Sequence, residues 1–223
     1  MTTLSLLQLV SPALPVGAFS YSEGLESLIQ GEALIDEQGV EQWLTAELQG
    51  GALRFEAAAL SPLADDLVRW CAHADQDARN RVRDLDSWLL ATREASSVRG
   101  QQRQMGGSLL QLLGEMGHPL PEDLPLAWPA AWAWGSVVFQ VREQEMVEAY
   151  LYGWVANQLS SAVRLVPLGP TRAQVIQHRL LPRIVSVAEE LCGIDPRQLW
   201  SGGVGASMAQ LAHAELYSRL FRS

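Results

Sequence analysis

Asp65 and Asp66 stand side by side in a stretch of helical periodicity, and paired carboxylates of that kind can hold Mg²⁺ against a diphosphate. The third aspartate that would complete such a site one turn further on is absent, so a solvated helix end is the plainer reading. The four histidines, His73, His118, His178 and His213, are scattered, and among histidines and cysteines only Cys71 and His73 come close together. On a helix, side chains two positions apart are rotated by about 200°, so those two point away from each other. A preformed zinc or nickel site built from neighbouring ligands is not expected. Cys71, Cys192 and the serines lack a G-x-S-x-G elbow, and no catalytic triad can be read from their spacing. All 16 cations are arginine. Without lysine the chain can make neither a P-loop nor a Schiff base.

The elements that carry these residues are helical throughout, with no alternating strand pattern and no closely spaced hairpin turns. Helices are expected over residues 2–10, 22–31, 37–50, 52–70, 75–91, 93–116, 125–139, 143–165, 171–191 and 206–219. Gly31, Gly50-Gly51, Pro62, Gly117 and Pro167 punctuate them, although Gly50-Gly51 and Pro62 are equally compatible with one bent helix. This predicts an all-α, single-domain bundle of about ten helices over residues 1–223. The stretch from Gly117 to Pro129 carries four prolines and reads as an internal loop. Ala127–Val141, with three tryptophans and few charges, suits a central helix. Tyr150, Tyr152 and Trp154 suit a subunit interface, where aromatic residues are enriched. Arg79, Arg81, Arg83, Arg93, Arg99 and Arg103, interleaved with Asp84, Asp86 and Glu94, read as a solvated face of mixed charge.

Hydrophobic residues make up 48% and charged residues 18% of the 223, a balance that belongs to an ordered globular protein. The net charge of −9 disfavours nucleic acid as a partner. Two cysteines are too few for a disulfide framework and read as buried thiols of a reducing compartment. No apolar run reaches the ~20 residues that span a bilayer, and the start lacks a basic, cleavable leader, so the cytoplasm is the expected location.

Three segments stand out from this background. Ser11–Glu26 (SPALPVGAFSYSEGLE) combines Pro12, Pro15 and Gly17 with an expected helix start capped by Ser20 or Ser22. Tyr21 offers a hydroxyl on a large apolar body, which suits either an interface or a staple holding the turn to the bundle. Ala162–Thr171 (AVRLVPLGPT) ends a helix at Arg164, where a cation meets the negative end of the dipole, and begins the next with Thr171 as the expected cap. Ser201–Ser207 reads as a flexible hinge, followed by a mobile tail, Tyr217–Ser223 (YSRLFRS), with an aromatic anchor and two guanidinium groups.

Together these segments closely resemble the signatures of the UreF-type urease accessory proteins, which act in nickel insertion into apo-urease. The resemblance implies a non-enzymatic chaperone that needs no cofactor of its own, binds UreD (also called UreH) and recruits the GTPase UreG. It also implies GTP-dependent nickel delivery to the urease apoprotein UreABC, and a homodimer. Any GTP hydrolysis would belong to the partner. By the same resemblance Glu26 and Arg164 belong to a surface that governs the GTPase. The tail, with Tyr217, Arg219, Leu220, Phe221 and Arg222, docks on UreD/UreH, joined by Tyr21 of the N-terminal segment. Arg164 is thereby expected on a surface separate from the tail. Arg93 and Glu94 resemble part of an Arg/Glu-rich helix of the family. Two departures occur: Pro170 stands where the family usually has glutamine, and His213-Ala214-Glu215 where it often has adjacent His-Glu. The alternative of another class is a small all-α, Mg²⁺-dependent prenyl-transfer-type enzyme using Asp65 and Asp66.

Overall fold

The computed structural model describes residues 2–223, with side chains from Leu4 onward. Its ten α-helices are α1 (Thr2–Leu9), α2 (Leu25–Gln30), α3 (Glu37–Gly50), α4 (Leu53–His73), α5 (Gln76–Ala91), α6 (Ser96–Glu115), α7 (Trp128–Val138), α8 (Glu143–Leu165), α9 (Pro170–Leu191) and α10 (Val204–Ala212). Three short 3₁₀ turns cover Ala18–Ser20, Pro196–Gln198 and His213–Glu215. No strand occurs among the described residues, so the all-α expectation holds.

The axis of the bundle is α4, whose Leu53, Ala57, Leu60, Leu63, Leu67 and Trp70 are buried at helical spacing. It packs against α5, α7, α8 and α9. Residues Pro129–Ser136 of α7 are all buried, which is why a helix with three tryptophans and no charge is tolerated there. Gly106 lets α6 close on the chain entering α7, because a Cβ at that position would lie 2.3 Å from the Leu126 carbonyl oxygen.

Local chemistry accounts for most boundaries. Asp36 caps α3 through the Gly39 amide at 2.8 Å, and Asp75 caps α5 through the Asp77 and Ala78 amides. Gly51 separates α3 from α4, whereas Pro62 lies inside an unbroken α4. The start of α9 is one residue earlier than expected: Gly169 is the cap and Pro170 the first helical residue, where a missing N–H costs nothing. The N-terminal segment also differs from the reading of a helix capped by Ser20 or Ser22. Glu23 and Gly24 adopt left-handed backbone, with φ of 51° and 90°, and the helix begins only at Leu25.

Candidate functional site

The N-terminal segment is shaped by the other end of the chain. Ser22 and Glu23 donate their amides to the Ser223 main-chain oxygen at 2.8 and 3.1 Å, and the Ser22 hydroxyl donates to it at 2.8 Å. The Arg222 amide reaches the Ser20 carbonyl at 2.8 Å, and the Ser223 hydroxyl donates to Gln101 Oε1 at 2.6 Å. Glu26 is the hub. Its carboxylate accepts the Leu220 and Phe221 amides at 2.7 and 3.1 Å and lies 3.0 Å from His213 Nε2. Burial works to raise the Glu26 pKa, but the Leu220, His213 and Phe221 hydrogen bonds outweigh it and hold the carboxyl below the usual glutamate range.

The expected mobile tail is therefore a docked one. Gly202 donates to the Gly50 carbonyl at 2.9 Å, and α10 fills much of the expected hinge. Gly24 is required by this docking, since its Cβ would fall 2.8 Å from the Gln210 main-chain nitrogen. Phe221 is only 4% exposed, so the aromatic anchor is seated in its own chain.

Beneath this docked segment lies a buried ionic cluster. Arg93 donates to Glu56 Oε1 through Nε at 2.9 Å and through Nη2 at 2.5 Å. Glu56 also accepts the Tyr150 hydroxyl at 2.7 Å and the Gln102 amide at 3.1 Å. Glu23 accepts from Gln101 at 2.7 Å and from the Trp154 indole at 3.1 Å. Burial pushes Glu56 up against the pull of Arg93, and pushes the Tyr150 hydroxyl well up too. Glu47 is pushed up to about 7 by burial, with Arg93 opposing and Glu23 adding to the rise.

A family model described as UreF matches residues 34–181, about two thirds of the chain. This chain belongs to the UreF family. It is 40% identical over 218 residues to the urease accessory protein UreF of Prochlorococcus marinus subsp. pastoris, covering 96% of each chain. To the urease accessory protein UreF of Nostoc sp. it is 38% identical over 228 residues, covering 99% of this chain and 95% of the relative. The likeness to these relatives extends well beyond residues 34–181.

Within this UreF fold the expected site residues divide into held and presented groups. Tyr21 is 3% exposed, with its hydroxyl donated to Gln104 at 2.8 Å, so it staples the turn to the bundle. Glu26 is 2% exposed and presents no surface, because its oxygens are spent on the tail. Tyr217, Arg219, Leu220 and Arg222 face outward, Tyr217 and Leu220 being among the most exposed large side chains. Arg164 lies over the Phe221 ring at 4.6 Å and donates to the Phe19 carbonyl. Its expected separation from the tail is thus overturned, since the last turn of α8 carries it onto the tail.

Other expectations need correction. Arg93 and Asp86 are buried, so the arginine run is only partly a solvated face; Asp86 takes Arg103 and the Ala127 amide, pinning the proline-rich loop. Tyr150 and Trp154 spend their polar atoms inside the chain, and Trp154 packs on Trp43 at 5.7 Å. Asp66 is engaged by Arg81 through three hydrogen bonds of 2.7–3.1 Å, while Asp65 faces solvent. The cysteines are unpaired, and burial pushes the Cys71 thiol up to about 11, which makes it a poor nucleophile.

Sequence reasoning marked the tail but missed the apolar face of α10 beside it. Of the fourteen exposed large hydrophobic side chains among the described residues, six lie between Trp200 and Leu220, which concentrates them on α10 and the tail. The spacing of Val204, Met208 and Leu211 was the available signal, since it places an apolar stripe on α10.

Proposed function

We propose that this chain is a non-enzymatic docking protein of urease maturation that works in the cytoplasm. It binds UreD/UreH, recruits and regulates the GTPase UreG, and supports GTP-dependent delivery of nickel to the urease apoprotein UreABC. Family membership supports the general role. The observation that carries the docking surface is the apolar and cationic face formed by α10 and the tail. Met208, Leu211, Tyr217 and Leu220 are exposed there, flanked by the outward Arg219 and Arg222. Exposed apolar side chains ringed by guanidinium groups make an interface with a hydrophobic centre and a polar rim.

In this reading Glu26 and Tyr21 act indirectly, by holding the tail and its turn in the presented shape. Arg164 acts at the tail's edge, so UreD/UreH and UreG contacts adjoin. Nickel is cargo: among the described residues no group of three or more His, Cys, Asp or Glu side chains converges to hold a metal ion. Among the described residues no helix is long and apolar enough to cross a membrane. A homodimer completes the proposal, supported by an open apolar groove lined by Leu7, Leu181 and Val185.

Co-purification with UreD/UreH tests the reading. Met208→Glu combined with Leu211→Glu should abolish capture and urease activation while circular dichroism stays native. Undiminished capture would remove α10 from the interface.

A further inference from the structure

A cavity of about 410 Å³ lies between the N-terminal segment, α6, α7 and α8. Its deep end is polar, formed by Glu23, Glu56, Gln101, Gln102 and Tyr150, none of which is more than 7% exposed. Its walls include the rings of Trp128, Trp132, Tyr152 and Trp154. Phe19 and Ser160, both exposed, stand on its rim and leave it reachable from solvent.

The polar atoms at the deep end spend most of their donors on two carboxylates. Gln101, Gln102, Tyr150 and Trp154 all aim their N–H or O–H groups at the Glu23 and Glu56 carboxylates. What remains, besides the second N–H of each glutamine amide, is acceptor capacity. Gln102 lines the cavity at 3% exposure, and its amide nitrogen is fixed on Glu56, leaving Oε1 with no partner. Each Glu23 oxygen accepts a single hydrogen bond from the chain and has a second lone pair to offer.

Charge points the same way. Two carboxylates, Glu23 and Glu56, line the cavity, and the one guanidinium beside them, Arg93, is bound to Glu56. A negative excess shielded from water attracts a cation and repels an anion. The surrounding indole and phenol faces also favour a cation, and one with an apolar body. A bare metal ion is less well served, because only two carboxylates and no histidine or cysteine line the space.

We propose that this cavity binds a small organic cation, an alkylammonium whose N–H groups bond to Gln102 Oε1 and the Glu23 carboxylate while its apolar body lies against the tryptophans. The site lies beneath the docked tail, whose Ser223 is bonded to Gln101 and to the Glu23 amide, and it is distinct from the exposed face proposed for docking.

Titration of the purified chain with n-butylammonium chloride tests this, read by tryptophan fluorescence and by melting temperature. Sodium chloride at matched ionic strength and n-butanol, a neutral near-isostere, serve as comparisons. Saturable binding of butylammonium is expected, at least about tenfold tighter than butanol, because the ammonium brings a positive charge and three donors where the hydroxyl has one. Glu23→Gln and Gln102→Leu should each weaken it by about the same factor. Gly153 lines the cavity, and a Cβ there meets no heavy atom within 4 Å, so Gly153→Leu should fill the space and abolish binding with helicity retained. Absence of saturation, equal binding of butanol, or binding indifferent to both Glu23→Gln and Gly153→Leu would overturn the proposal.

Discussion

Glu26→Gln isolates the force that closes the tail. The substitution keeps the side-chain shape but replaces one of two acceptor oxygens with a donor. Glu26 Oε1 now accepts the Leu220 amide and Oε2 the Phe221 amide, so the variant must leave one amide facing an N–H group. Each hydrogen bond to a charged acceptor contributes about 1.5–3 kcal/mol, and the surviving one becomes neutral, so the closed tail should lose roughly 2–4 kcal/mol. At about 1.4 kcal/mol per decade, opening should become roughly 30- to several hundred-fold more frequent. Amide hydrogen exchange at Leu220 and Phe221 measures this, with α4 amides as the unaffected reference. The pH dependence follows in sign. Because folding lowers the Glu26 pKa, its contribution is complete above the ordinary glutamate value of about 4.3 and is lost as pH falls through the lower folded value. Acid should therefore open the parent tail toward the behaviour of the variant. Unchanged exchange at both amides in Glu26→Gln would refute the role of the carboxylate.

Arg93→Met should lower the stability of the whole bundle by about 3–5 kcal/mol in urea denaturation, because it strands Glu56 in the core; adding Glu56→Gln should restore part of the loss. Glu47→Gln should stabilise the protein above neutral pH. The raised carboxyl favours the folded state fully below its ordinary pKa and loses that advantage as pH rises through about 7, so the gain should be about 3 kcal/mol at pH 8 and vanish near pH 4 in paired melts. Gly24→Ala should cost about 1–3 kcal/mol, since its Cβ meets the Gln210 backbone from a left-handed φ, with α10 amides losing protection first.

Capping and periodicity are local, and so α3, α5 and α8 were legible in advance: aspartate at the caps of α3 and α5, apolar residues at helical spacing, and the glycine that follows α3. Charge in the arginine run was not, because the same letters describe Arg83, paired on the surface with Asp84, and Arg93, buried against a residue 37 positions away. The one-dimensional chain also marked Ser11–Glu26 and Tyr217–Ser223 as special segments.

It could not say that they meet. Glu26 and Leu220 are separated by 194 positions, and no periodicity encodes a contact of that range. Only packing of α2 against α10 brings the carboxylate beneath the two amides, turning an apparently free tail into a docked one. Amino-acid types settled most of the helices and the absence of any lysine-dependent chemistry. The folded chain settled which carboxylates are spent inside and which arginines stay exposed, because desolvation and pairing are properties of neighbours in space.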